Sequence, residues 1–153
     1  MLWRFWINMR ISTRSRYGLR LMLQLADNYG KGPVQLNYIS EKEEISLKYL
    51  GQIIIQLKSA GLVSSMRGSQ GGYILTRPPK DITLLDIVQK LEGDANLIDC
   101  VDDNLLCNRS YECIVRDIWK SLSDEFQMSL KKITLLSILE KKNKKNTNFE
   151  YDI

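Results

Sequence analysis

The 153 residues, 44% of them hydrophobic, hold enough apolar side chain for one core, or for one small domain with a helical appendage, and exclude two large domains. The net charge of +4 is segregated: residues 1–80 carry twelve Lys/Arg against four Asp/Glu, residues 81–140 six against twelve, and the last thirteen four against two. The front part therefore suits a polyanion, and no apolar run nears the roughly 20 residues of a membrane span.

The opening "MLWRFWIN" is too short for a secretory signal and lacks a small-residue cleavage site. Met9 is read as the functional start and residues 1–8 as an extension, with a surface-binding arm as the alternative. From Thr13, the expected N-cap, Tyr17, Leu21, Met22, Leu25 and Tyr29 recur at helical spacing until Gly30 and Gly32. After Pro33 come a brief extended run and a short helix. Ser46 is expected to cap a third helix, with Leu50, Ile53, Ile54 and Leu57 on one stripe and Lys48, Gln52, Gln56 and Ser59 on the polar face. Gly61 supplies its stop. "GLVSSM" and "GGYILT" are short β-compatible runs around a tip at Arg67 to Gly71, which reads as a hairpin.

Pro78 and Pro79 close that unit. Thr83 with Asp86 looks like a capping box, and Leu84, Ile87, Val88 and Leu91 form a helical face ending at Gly93. From about Ile114, the residues Val115, Ile118, Trp119, Leu122, Phe126, Leu130 and Ile133 repeat every three or four positions. So long a stripe calls for a partner surface and is read as a dimerisation helix, with an intramolecular core role as the alternative. Thr134 caps a final short helix, "LLSILEKK", and residues 141–153 are expected to be a disordered polar tail.

Three helices and a hairpin in this order predict a mainly α fold with a small β-hairpin wing, that is, a winged helix-turn-helix followed by a long C-terminal dimerisation helix. The third helix would enter the major groove of double-stranded promoter DNA and the hairpin would lie on the backbone or in the minor groove. Candidate contacts are Arg14, Arg16 and Tyr17 at the start of the first helix, the two arginines as backbone clamps. Ser46, Lys48, Tyr49 and Gln52 would face bases and phosphates, and Gln52 can pair with adenine. In the wing, Arg67 suits a narrow minor groove, Ser69 and Gln70 can hydrogen-bond, and Gly71 with Gly68 and Gly72 lets the tip approach phosphates without a Cβ in the way. The expected layout is an extension at 1–8, a DNA-binding domain at 9–80, a helix, cysteine loop and dimerisation helix at 81–140, and the tail. No enzyme or small-molecule substrate is expected: there is no histidine base, no GxxxxGKS/T phosphate loop and no defensible carboxylate pair.

"MRISTRSRYGLRLMLQLA", "ISLKYLGQIIIQLKSAGLVSSMRGSQGGYIL" and "CNRSYECIVRDIW" together resemble the Rrf2 family of bacterial winged-helix regulators, over about residues 9 to 140. The iron–sulfur cluster regulators of that family are the nearest in pattern. The resemblance implies a homodimer, each subunit having an N-terminal winged helix and a long crossing C-terminal helix, with a cluster loop in the cysteine-bearing members. Two positions depart from those members. Gly51 stands where a glutamate commonly follows "YL", and Arg116 stands where some have a histidine as fourth ligand, three residues beyond the last cysteine.

Cys100, Cys107 and Cys113 hold every thiol of the chain within 14 residues, unlike the spread framework of a secreted disulfide protein, so a cytoplasmic location is expected. Their separations of six and five residues are more open than the tight pairs of single-zinc sites and suit an iron–sulfur cluster, 2Fe-2S or 4Fe-4S. A metal-free thiol switch and zinc are the alternatives. Arg109 and Arg116 favour thiolate, opposed by Asp99, Asp102 and Asp103. The fourth ligand is open, with Asp102, Asp103, Glu112 and Asp117 as local candidates. The leading functional expectation is a repressor reporting iron–sulfur status and controlling cluster-assembly genes. A nitric oxide or cysteine-metabolism repressor is the alternative within DNA binding, and an iron–sulfur carrier without DNA binding is the alternative outside it.

Overall fold

A computed structural model describes residues 11–93, 95–101 and 104–150; the expected extension at 1–8 lies outside them. Three helices, α1 (Thr13–Asp27), α2 (Leu36–Glu43) and α3 (Leu47–Ser59), precede an antiparallel hairpin of β1 (Val63–Met66) and β2 (Gly72–Leu75). Then follow α4 (Leu84–Glu92), α5 (Ile114–Lys131) and α6 (Leu135–Glu150), with short 3-10 turns at Pro79–Asp81, Asp99–Val101 and Asn104–Leu106. This is the expected winged helix-turn-helix with a long C-terminal helix.

Local signals set most boundaries. Ser12, one residue before the predicted Thr13, caps α1 by accepting from the Ser15 amide, while Ser46 caps α3 as expected. Thr83 and Asp86 form the reciprocal capping box at α4. Thr134 and Ser137 exchange the same pair of bonds at α6, with serine in the acid's place. The hairpin is extended by a third short segment, for Val34 and Tyr73 bond each other's backbones at 2.9 Å both ways. Gly72 makes that approach possible: a Cβ on it would lie 2.5 Å from the Val34 carbonyl oxygen.

One core unites the front and back of the chain. Leu21, Met22 and Leu25 of α1 pack with Ile39, Leu50, Ile53, Leu57 and Leu62, and the same cluster takes in Ile82, Ile87, Leu91, Leu135 and Leu139. Aliphatic burial of this extent is what fixes the order of the helices. A smaller cluster of Val88, Ala95 and Leu130, with Leu84, Leu85 and Phe126 against it, is where α5 leans on α4. The apolar stripe of α5 is divided accordingly. Leu130 is buried, whereas Ile114, Val115, Ile118 and Leu122 stay 42–75% exposed on one face.

Over residues 141–150 the expected disordered tail is instead helix, α6 continuing through Glu150, and residues 151–153 lie outside the described residues. Lysine favours helix, and Lys142 is tied down by an ion pair of 2.8 Å to Asp27 at the end of α1. The Lys142 hydrogen bond outweighs desolvation of Asp27 and, with the charges of Lys142, Lys42 and Lys31, holds its carboxyl below the ordinary range. A depressed carboxyl contributes stability that is present above its unfolded pKa and lost as pH falls through the folded one. Lys142→Met is therefore expected to lower urea-measured stability at neutral pH by under about 1 kcal/mol, the pair being half-exposed. Its difference from wild type should fade as the medium is acidified past the carboxylate range.

Candidate nucleic-acid interface and cysteine loop

The α3 helix buries Leu50, Ile53, Ile54 and Leu57 and turns Lys48, Gln52, Ile55 and Ser59 outward. No acid lies anywhere along it. Of the predicted contacts, Lys48 and Gln52 are exposed side by side in register, one turn apart. The Ser46 hydroxyl accepts the Tyr49 amide at 3.2 Å, so it also shapes the start of the helix. Tyr49 is half-buried and meets Tyr17 of α1 edge-on, with ring centroids 5.9 Å apart. Arg20 lies over the Tyr17 ring, 5.6 Å from its centre, and donates to Glu43 at 2.7 Å. Arg20 and Glu43 thereby hold α1 on α2, and the two tyrosines hold α1 on α3.

The arginines at the start of α1 divide. Arg16 is exposed and donates to Thr13 over a long 3.5 Å. Arg14 donates to the Leu91 carbonyl at 3.3 Å, so it also braces α1 against the end of α4. In the wing, Arg67, Ser69 and Gln70 are exposed at the tip. Gly71 donates to the Gly68 carbonyl at 3.0 Å, and a Cβ on Gly71 would sit 2.3 Å from the Met66 oxygen. Its first role is therefore to close the turn. The wing is fastened to the reading helix where Lys58 donates to Ser65 at 2.9 Å. Ile55 stands exposed on the same outward face, at helical spacing from Lys48 and Gln52.

The cysteine loop lies along α5. Arg116 donates from Nε to the Cys100 carbonyl at 2.8 Å and from Nη2 to that of Val101 at 3.2 Å. Ser123, fully buried, accepts the Leu97 amide at 3.1 Å, and Gln127 donates to Asn96 at 2.8 Å. Arg116, Ser123 and Gln127 are spaced by seven and four residues, hence share one stripe of α5. They form a seam holding residues 96–101. Cys100 is half-buried in that strip, Cys107 is exposed, and Cys113, half-buried, occupies the N-cap of α5. All three thiols are free.

The donor set suits iron in kind, with three soft thiols on one loop. Among the described residues, however, no three Cys, Asp or Glu side chains converge as a metal site. Of the suggested fourth ligands, Glu112 and Asp117 are exposed, while Asp102 and Asp103 lie outside the described residues. Holding a cluster would require the loop to close.

An acid-free reading helix, a glycine-hinged basic wing and a long half-bare helix define a winged-helix DNA-binding regulator. The chain belongs to the Rrf2 family, whose model, an iron-dependent transcriptional regulator, matches residues 11–141. It is 40% identical to the HTH-type transcriptional regulator CymR of Bacillus subtilis over 116 residues, 76% of this chain and 84% of that protein. The structure of CymR, the global cysteine regulator of B. subtilis, superposes with a TM-score of 0.72 at 35% identity, covering 86% of this chain and 96% of that one. The structure of T. potens IscR gives 0.71 at 36% identity, covering 88% and 89%. These relatives are regulators, and the chain is a transcriptional regulator rather than an enzyme. No described helix is long and apolar enough to cross a membrane.

The seam is testable without any ligand. Arg116→Ala and Ser123→Ala are expected to speed amide exchange over residues 97–101 and alkylation of Cys100 several-fold, leaving Cys107, exposed in either case, at its former rate. Unchanged exchange in both variants would mean that the strip is held by something else.

Proposed function

We propose that this regulator is a cytoplasmic homodimeric repressor whose grip on promoter DNA is set by an iron–sulfur cluster held by Cys100, Cys107 and Cys113. The observation that carries the reading is that all the thiols of the chain share one loop, laid along the same helix that presents the bare apolar face. When bound, the cluster supplies a labile iron centre whose presence reports iron–sulfur supply. The chain's own residues do the rest. Cys113 offers its sulfur at the positive end of α5, and Cys100 is positioned by Arg116. Bringing Cys100 towards Cys107 and Cys113 strains or releases the seam, and so acts on α5.

In this reading Ile114, Val115, Ile118 and Leu122 meet their copies in a two-fold contact, which sets the separation of the two α3 helices. That separation must match half-sites about 34 Å apart or a multiple of it. Lys48, Gln52, Arg67, Ser69 and Gln70, with Arg16 on the backbone, are the contacts to DNA; Ser46, Tyr49, Tyr17, Arg14 and Gly71 hold the surface in shape and lie beside it. A second reading, a repressor of cysteine metabolism with no cluster, is favoured by the 40% identity to CymR and the match to its structure.

Anaerobic purification with iron and sulfide counts, followed by duplex binding with and without reconstituted cluster, separates the two. The expected result is a coloured protein whose affinity for at least one promoter changes about tenfold or more with cluster, a change that Cys107→Ala abolishes while basal binding survives. Equal affinity for every promoter would overturn the cluster reading. Ile118→Glu with Leu122→Glu is expected to give a monomer by ultracentrifugation with its helical content intact. Affinity should fall about a hundredfold or more, since one half-site alone then holds the duplex.

A further inference from the structure

We propose that Ile55 is a specificity-determining residue that reads the 5-methyl group of thymine in the major groove. The inference rests on α3 being the groove-entering helix and adds the base chemistry it selects. Ile55 is 67% exposed, more than any other apolar residue of α3, and lies directly opposite the buried stripe. It stands seven residues after Lys48, three after Gln52 and four before Ser59, so these four share the outward face. Nothing in the described chain covers it. It lines an open hollow with Gln56, Ser59, Ala60 and Lys90 of α4. One turn earlier on the same face, Gly51 has open space where a Cβ would be, leaving a notch next to the isoleucine.

A β-branched aliphatic group is a poor choice for a solvated helix face, where lysine or glutamine would favour helix more and leave no apolar surface in water. It gains only if something apolar covers it. The self-association surface on α5 has its own stripe, and the α3 face offers charge and amide groups suited to a nucleic acid. Along the edges of the bases in the major groove, the one apolar group is the thymine methyl. Gln52, on the preceding turn, has the donor and acceptor that match adenine. Side by side, the two residues select A·T pairs at neighbouring positions. The missing side chain at Gly51 allows the close approach that an aliphatic contact needs.

The test uses the full chain and the tightest duplex recovered from a randomised pool. Each thymine is then replaced in turn by uracil, which pairs identically but lacks the methyl, and affinity is measured at fixed salt. One position per half-site is expected to lose about fourfold, the worth of one buried carbon group. Ile55→Ala is expected to bind the thymine and uracil duplexes equally, with unchanged circular dichroism and an unchanged slope of affinity against salt, since no phosphate contact is removed. If no thymine responds to loss of its methyl, or if Ile55→Ala weakens both duplexes alike, the assignment is overturned while DNA binding stands. Recovery of no duplex at all would overturn the DNA reading beneath it.

Discussion

The close approach of α1 to α4 is the contact on which the rest depends. Gly18 leaves room there for Leu91: a Cβ on it would lie 2.3 Å from Leu91 Cδ1, so the leucine side chain would have to turn aside. Around that point the two helices are joined twice more: Arg14 reaches the Leu91 carbonyl at 3.3 Å, and the Ser12 amide donates to Glu92 at 2.9 Å. Burial alone would raise the Glu92 carboxyl, but hydrogen bonds from Ser12 and the charge of Arg14 hold it below the usual range, so it stays an acceptor at neutral pH. The beginning of the basic half is thereby bonded to the last turn of the helix from which the cysteine loop departs.

That junction turns two regions of opposite charge into one mechanical body. α4 and α6 share the main core with α1 and α3, and they are bridged where Leu84 donates to Ile133 at 2.7 Å and Leu135 to Ile82 at 3.0 Å. α5 is attached differently. It rests on α4 through the small Val88, Ala95 and Leu130 cluster and on the loop through its polar seam, leaving most of its first three turns in solvent. A helix held by few apolar contacts is the element that can shift at low cost, whereas the close-packed body moves as a unit. The thiol loop, α4 and the start of α1 are physically contiguous, and any coupling between the two surfaces would need α5 to hold two arrangements that both of them bias.

What the sequence made legible was local. Helix caps, the 3.6-residue stripes and the glycine-rich turn are written within a few residues of where they act, so Ser46, the Thr83–Asp86 box and the hairpin with its tip at Arg67 to Gly71 could be read directly. What escaped depended on partners far along the chain. Lys142 makes its ion pair 115 residues away, so the composition of 141–150 looked like solvated coil when it is helix. Arg14 reaches a carbonyl 77 residues on, which no charge count reveals. The division of the α5 stripe into a buried end and a bare start was likewise invisible, because periodicity marks a face without saying what covers it.

Arg116 shows how one replacement alters what a loop can do. An imidazole has a lone pair for iron; a guanidinium offers five N–H donors and no acceptor. At this position the side chain therefore cannot complete a coordination sphere. Its planar fork instead takes two successive backbone oxygens, those of Cys100 and Val101, and ties the first thiol to the helix that also carries the last. In the proposed reading, three thiols would leave an iron centre one position for a carboxylate, a solvent molecule or a group from the other subunit, and a centre so held is suited to losing its metal when supply falls. The same arginine that removes a ligand supplies the tether through which such a loss would be felt at α5.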